Sequence, residues 1–315
     1  MTAYDFGRDF AIVIVLSNFA ESIIKMRMKN PFKKLTVAVM LALPMWLSAQ
    51  TDVSLFWRSD SVQLGEVSVA DGDQYRRIGH HGPAIENMYM ALRIYFNHSG
   101  SIDVYTKKQP QLELATAHWY PTDAMQAAGY GCDEYKVGST VGLGGYNLWD
   151  GEQIVKLTAT EGREVRVRKV KGGAVAEMLA KGVPYQQKKV DILIRVTMKD
   201  NERWAVVEAF SKKGGKVQFV TGVNFHPGKQ AFTDQGHIAV WGRHPEDVSK
   251  NPINIGGGMV YKQRTVAQKK VTDDAVVIIS RPTKHYKTKV VSAGEKEADL
   301  NTADKFIQYV QHLKY

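Results

Sequence analysis

From Thr51 onward the apolar residues of this 315-residue chain recur at every second position, and that period decides what it can fold into. The runs VSLFW (53–57), IDVY (102–105), REVRVRKV (163–170), VDILIRVTM (190–198), RWAVVEAF (203–210), KVQFVTGVNF (216–225), HIAVWG (237–242), MVYKQRTV (259–266), AVVIIS (275–280) and KTKVVS (287–292) are short and rich in Val, Ile, Phe and Tyr. Residues that alternate in this way present one face to a core and one to solvent, which is the habit of a β-strand. Asp150-Gly151, Asp200-Asn201, Lys213-Gly214-Gly215 and Asp273-Asp274 supply turns between them. Many short strands joined by tight turns predict an all-β protein, a large two-sheet antiparallel β-sandwich. The pattern is clearest over Val190–Phe225, which reads as a β-meander. Ala174–Ala180 (AVAEMLA) reads as a short helix or a loop turn. At the C-terminus NTADKFIQYVQHLKY puts Phe306, Ile307, Val310 and Leu313 on one side behind a cap at Asn301 or Thr302, so a helix is expected to lie on the sheet. No composition shift or fixed repeat divides residues 50–315, and one domain is expected there.

The first 49 residues read differently. The basic stretch KNPFKK (29–34) precedes the apolar run LTVAVMLALPMWL (35–47) and the small residues Ser48 and Ala49, the layout of a secretory signal peptide cleaved near Ala49. The run is too short to span a bilayer, which takes about 20 residues. A periplasmic or secreted protein beginning near Gln50, with no membrane span, is therefore expected. Met1–Arg27 has no place in such a signal, which points to a start at Met26 or Met28; a long basic leader is the alternative. A single cysteine, Cys132, excludes an internal disulfide, and GYGCDEY places no histidine beside it to activate a thiol. The formal net charge of +10 is partly contributed by the leader. In an exported protein a basic surface suits an anionic oligosaccharide better than nucleic acid, although a merely solvated basic surface would carry the same charge.

Several chemistries are weakly supported. VGSTVGLGGYNLW (137–149) is glycine-rich but is followed by strand-like residues, so its glycines, like those of NIGGGMVY (254–261), read as tight bends and close backbone approaches rather than a dinucleotide loop. His80 and His81 are adjacent and would point to opposite faces of a strand; His226, His237 and His244 lie in successive segments, and no spacing demands a metal. No G-x-S-x-G occurs. Glu86, Asp133, Glu134 and Asp150 are carboxylates available for acid–base work, with separations that a sequence does not give.

The best-defined anomaly is GHHGPAIENMYMALRIYFN (79–97). Taken as one strand from Ala84 to Phe96, it puts Glu86, Met88, Met90, Leu92, Ile94 and Phe96 on a core face. Asn87, Tyr89, Ala91, Arg93 and Tyr95 then share the other face, where aromatic rings beside a guanidinium suit sugar stacking and capture of a carboxylate. The plainer alternative is an arginine stacked between tyrosines and paired with an aspartate. The segment 116–142, with His118, Trp119, Tyr120, Tyr130, Asp133, Tyr135 and Lys136, reads as a long irregular loop of the kind that forms ligand clefts.

GPAIENMYMALRIYF, GSIDVYTKK and DEYKVGSTVGLGGYNLWDGEQIVKL together resemble a family of exported bacterial proteins catalogued as a domain of unknown function, over most of residues 50–315. The shared features are a Gly-Pro then Glu-Asn opening, a strand like YRIYF, a strand like IDVYGKK and a Lys-Val-Gly-x-Ser-x-Gly-x-Gly-Gly turn. Leu92 stands where an aromatic residue commonly precedes the arginine, and the segment before Gly79 is short, which would leave a sheet edge uncovered. The resemblance implies a galactose-mutarotase-like or related sandwich from a polysaccharide-utilisation system, with an oligosaccharide dehydratase of ulvan-type uronic acids among its members. Such a reaction abstracts the C5 proton, α to the carboxylate, and expels the C4 hydroxyl; it is a carbon–oxygen lyase step that needs a cation, a base and an acid and requires neither a metal nor an organic cofactor, a metal-assisted variant being the alternative. The residues this reading nominates are Arg93, with Asn87, Lys136, Trp119 and Tyr135, for substrate binding. His81, His118, Tyr89 and His226 are nominated for proton transfer. The competing expectation is a non-catalytic glycan-binding protein of the same fold. Nothing in the sequence sets the number of subunits.

Overall fold

The computed structural model describes residues 50–118, 120–226, 229–245 and 253–315. The expected signal peptide and early start therefore lie outside the described residues. The described residues belong to one compact unit, Ala49–Tyr315. No helix among them is long and apolar enough to cross a membrane.

The meander expected from the alternating pattern is the heart of the molecule. Strands β8 (Arg163–Val170), β9 (Gly173–Tyr185), β10 (Lys188–Lys199) and β11 (Ala205–Lys213) pair antiparallel in sequence order. Along β10 the side chains of Val190, Ile192, Ile194, Val196 and Met198 are fully buried, while Asp191, Leu193, Arg195 and Thr197 between them are half-buried. Each buried side chain contributes roughly 1.5–3 kcal/mol, so a one-residue slip would forfeit most of the core face. The outer face is held by ion pairs: Arg195 lies opposite Glu177 in register, with Nε 2.6 Å from Oε1. The segment Ala174–Ala180 is part of β9 rather than a helix or turn. Its helix-favouring residues are overruled because Ala174, Ala176, Met178 and Ala180 alternate into the core and pair on both sides.

Five more strands complete a nine-stranded sheet: β2 (Glu66–Val69) at one edge, and β18 (His285–Gly294), β15 (Asn254–Val260), β14 (His237–Arg243) and β13 (Gln230–Thr233) beyond β11. A five-stranded sheet contains β16 (Val266–Val271), β17 (Ala275–Ser280), β12 (Phe219–Asn224), β6 (Asn147–Trp149) and β7 (Ile154–Val155). A four-stranded sheet contains β1 (Thr51–Ser54), β3 (Ala84–Asn87), β4 (Ala91–Ile94) and β5 (Ile102–Tyr105). All three contribute to one apolar core that includes Leu92, Val104, Tyr146, Ile194, Phe219 and Ile278. The fold is thus all-β and antiparallel, as the sequence indicates, with its strands spread over three hydrogen-bonded sheets. β1 pairs with β3, Thr51 opposite Asn87, so the edge that a short N-terminal segment threatened to expose is covered.

The C-terminal helix Ala303–His312 is capped by Thr302, whose Oγ1 accepts the Lys305 N–H at 3.4 Å. Phe306 and Val310 pack on Trp241, Ala239, Val291 and Ala293. The glycines of β15 make this contact possible: a Cβ on Gly256 would stand 2.7 Å from the Phe306 ring, and one on Gly258 2.6 Å from Val310 Cγ2.

One local expectation is corrected. Ala84–Phe96 is a hairpin and not a single strand, with its turn at 88–90. Asn87 nucleates the turn, because its Oδ1 accepts the N–H groups of Tyr89 and Met90, each at 3.0 Å. The reversal breaks the odd–even assignment: Arg93 lies opposite Ala84, and Glu86 opposite Ala91.

Candidate active site

The register of β4 with the edge strand β5 places Arg93 opposite Asp103 in the four-stranded sheet. Both side chains are fully buried. Nη2 of Arg93 donates to Asp103 Oδ2 and also lies 2.6 Å from Oδ2 of Asp133, whose side chain is 11 % exposed and comes from the long loop after β5. The Tyr95 hydroxyl donates to the same Asp103 oxygen at 2.7 Å. Arg93 Nε and Nη1 are buried without a hydrogen-bond partner. Burial pushes the Asp103 carboxyl up to about 7, Arg93 opposes that shift, and the second carboxylate adds to it. Two carboxylates on one guanidinium nitrogen thus retain a proton into the neutral range, and the proton belongs to the pair rather than to either residue.

His81 is set against this group by a strained turn. His80 and His81 adopt φ of 53° and 61°, in the left-handed region that costs a residue with a Cβ about 1–2 kcal/mol. The turn is pressed against β4, and a Cβ on Gly82 would meet the Ile94 carbonyl at 1.9 Å. Nδ1 of His81 lies 3.1 Å from the Tyr75 carbonyl oxygen. A carbonyl only accepts, so Nδ1 carries the proton and Nε2 is left with its lone pair. Nε2 accepts the Tyr120 hydroxyl at 2.7 Å. The Tyr75 ring stacks on the imidazole, 4.0 Å between centroids and 14° from parallel, and Tyr95 stands across Tyr75 at 84°. Burial, with Arg93 adding to it, holds His81 down to about 4, so the ring is neutral near pH 7. Burial and Asp133 raise the Tyr120 hydroxyl above its ordinary range. The result is a neutral phenol hydrogen-bonded to a neutral imidazole of fixed tautomer, beside a carboxylate pair that holds a proton.

The other nominated residues are distributed around this centre. His118 is exposed, with φ 49° and its ring 5.9 Å from Phe56. Lys136, Tyr135 and His226 meet in a second cluster: the Lys136 carbonyl accepts from Asn224 Nδ2 (2.7 Å) and lies 2.9 Å from His226 Nε2, and the Lys136 N–H donates to His244 Nδ1 (3.0 Å). His226 and His244 rings are 4.5 Å apart, and Tyr135 and His244 rings 4.4 Å. Burial holds His244 down to about 3. His237 is bound instead to Asp234 at 2.9 Å, and among the described residues no group of three His, Cys, Asp or Glu is placed to hold a metal. The hairpin carries Asn87 and Tyr89 away from Arg93: Asn87 Nδ2 donates to the Glu202 carbonyl (2.7 Å), and the Tyr89 ring faces the Arg203 guanidinium at 5.2 Å. Trp119 lies outside the described residues. Of the carboxylates, Asp150 caps an exposed turn, Glu134 takes a hydrogen bond from Thr106 (2.5 Å), and Glu86 is paired with the buried Lys107.

Sequence reasoning set Tyr95 beside Arg93 and raised an unnamed aspartate as the arginine's partner; it missed Tyr75, did not name Asp103 and left Tyr120 in a roll of loop residues. One signal was available: an aspartate inside the apolar run IDVY has to be paired if that run is a buried strand.

Fold and site together define an antiparallel β protein that gathers a phenol–imidazole pair and a guanidinium-bridged carboxylate pair beside two half-buried tyrosines set edge to face. The chain belongs to the family described as "Domain of unknown function (DUF4861)", whose model matches residues 29–315. No curated protein matches it. Among solved structures it is similar to a putative aldose 1-epimerase from Klebsiella pneumoniae subsp. pneumoniae (7 % identity, TM-score 0.36, covering 83 % of this chain and 94 % of that one). It is also similar to the 4-alpha-glucanotransferase of Thermococcus litoralis (11 %, TM-score 0.34, 74 % and 40 %) and to the heparan sulfate lyase HepC of Pedobacter heparinus (9 %, TM-score 0.36, 76 % and 39 %). The chain thus spans about two fifths of the latter two. These are likenesses between folds at low identity, and they assign no activity to this chain.

Proposed function

We propose that the protein is a carbon–oxygen lyase that dehydrates uronic-acid-containing oligosaccharides. The observation that carries this reading is the Tyr120–His81 hydrogen bond, with the imidazole tautomer fixed by the Tyr75 carbonyl. In the proposed step the Tyr120 oxygen takes the C5 proton as its own proton passes to His81 Nε2. The C5–H electrons form the C4–C5 double bond, and the C4–O bond breaks. The departing oxygen takes a proton from the Asp103–Asp133 pair through Asp133, the member that reaches the surface, and leaves as water. Arg93, held by both carboxylates, serves from beneath as the cation that offsets charge developing at the uronate. Protons return from His81 to the carboxylates through solvent.

The test is incubation with uronate-terminated oligosaccharides while the absorbance of the unsaturated uronate is followed. The wild type gives a rising trace, and Tyr120→Phe lowers the rate roughly 10²–10⁴-fold. A flat wild-type trace across several uronates sinks the proposal. A second reading, a non-catalytic glycan-binding protein, is favoured by the occupation of Arg93 Nη2 by two carboxylates, which leaves the half-buried tyrosines as the sugar-facing groups. It predicts that His81→Ala retains glycan binding and that the wild type turns nothing over.

A further inference from the structure

The positive charge of this protein is unevenly placed. Residues 261–290 hold eight Lys and Arg (262, 264, 269, 270, 281, 284, 287 and 289) against Asp273 and Asp274, a net of +6 out of the whole chain's +10. Part of this charge converges on a groove formed where the segment after β15 meets the start of β18. Two adjoining open hollows share Arg264, Thr265, His285 and Tyr286. Arg281 and Thr283 line one, and Lys262, Lys287 and Tyr315 line the other. None of these residues belongs to the cluster around His81.

Three features of the groove select its ligand. Lys262, Arg264, Arg281 and Lys287 have no carboxylate within ion-pair distance among the described residues, and the carboxylate nearby, Glu208, lies opposite Lys287 in register and is bound to His285 at 2.9 Å, so the cations of the groove outnumber it. Hydroxyl groups stand between them: Thr265 donates to the Tyr286 hydroxyl at 3.1 Å, and Thr283 lies on the Arg281 side. The Tyr315 ring is covered by ammonium groups, with Lys262 Nζ at 4.7 Å and Lys287 Nζ at 5.9 Å from its centroid. Single-stranded nucleic acid is held by bases stacked on a series of aromatic faces, and Tyr315 is the one exposed tyrosine, phenylalanine or tryptophan ring among the residues lining these hollows. A chain whose units carry both hydroxyls and fixed anions matches alternating cations and hydroxyls.

We infer that this groove is a second binding site, for a polyanionic polysaccharide bearing carboxylate or sulfate groups, separate from the candidate active site. It would hold the protein on a polymer while short ends are processed elsewhere, and it stands whether or not the His81 cluster is catalytic.

The test measures binding of the full protein to heparin, polygalacturonate, dextran and single-stranded DNA by isothermal titration at low and high salt, with wild type and Arg264→Ala/Arg281→Ala. The expected result is salt-sensitive binding to heparin or polygalacturonate, weakened roughly three- to thirtyfold in the double variant as two exposed ion contacts are lost. Arg264→Lys/Arg281→Lys should recover most of it. Turnover or binding of a short uronate oligosaccharide should be the same in all three proteins, which separates failure here from failure of the lyase reading. Equal polyanion affinity in the alanine variant, equal binding of dextran, or tighter binding of DNA than of either polysaccharide would overturn the inference.

Discussion

Replacing Arg93 by methionine is the sharpest probe of the buried centre. The side chain is fully buried, and one nitrogen bridges two carboxylates. At the 2.6 Å separation from Asp133, and with an effective dielectric constant of about 20, the gross attraction is about 6 kcal/mol. Much of this is offset by desolvation, and breaking such a buried group by removing one partner costs about 3–5 kcal/mol. For a domain of this size that corresponds to a fall in Tm of roughly 6–20 °C. The pH dependence makes the prediction specific. Without the guanidinium, Asp103 and Asp133 repel in a dry environment, and both take up protons more readily than in the unfolded chain. A carboxyl whose folded pKa is raised binds more protons folded than unfolded, so its destabilising effect is absent at low pH and grows as pH rises through the window between the two pKa values. The deficit of Arg93→Met should therefore be largest at pH 8 and shrink by pH 5, while the wild type, in which the cation opposes the Asp103 shift, changes less. Urea denaturation followed by tryptophan fluorescence at pH 5, 6, 7 and 8 measures this, and the pH 5 arm remains readable if the variant is unfolded at pH 8. A deficit below 1 kcal/mol at pH 7, or one that does not shrink toward pH 5, would refute the account of a cation holding two carboxylates together.

Two further outcomes follow from the same geometry. Turnover should have a bell-shaped pH profile, since the acid limb needs His81 neutral and fails near pH 4, and the alkaline limb needs the proton of the Asp103–Asp133 pair and fails near pH 7; Asp103→Asn should displace the alkaline limb and leave the acid one in place. Gly256→Ala should lower stability by about 1–3 kcal/mol, measured by thermal unfolding, because its Cβ would press on the Phe306 ring and lift the C-terminal helix; unchanged stability would mean the helix adapts.

The strands of the large sheet were legible because alternation is a local property: Val190 to Met198 announces its inward face without reference to any partner. The hairpin at Ala84–Ile94 was not, because Met88-Tyr89-Met90 carries none of the usual turn residues and the turn is made by the Asn87 side chain one position earlier. That single misreading placed Asn87 and Tyr89 beside Arg93, and the aspartate raised as the alternative partner had no number, because Asp103 depends on the pairing register of β4 with β5. His81 was nominated as a group that titrates near neutrality, whereas burial holds it down to about 4. Its partner Tyr120 comes from a loop thirty-nine residues away, a distance over which periodicity says nothing.

The order of strands in the large sheet also sets a timetable. β18, residues 285–294, lies between β11 and β15, so the strand made last sits at the centre. The meander from Arg163 to Lys213 can form on local contacts alone, and so can the β13–β14–β15 group, but each keeps an unpaired inner edge until β18 arrives to join them. Assembly of the sheet must therefore wait for residues 285–294, and it rests on pairings distant in sequence, a combination that makes folding slow. During that interval the edges of β11 and β15 are open to other chains, and the half-made protein is most exposed to aggregation just before its final strand is delivered.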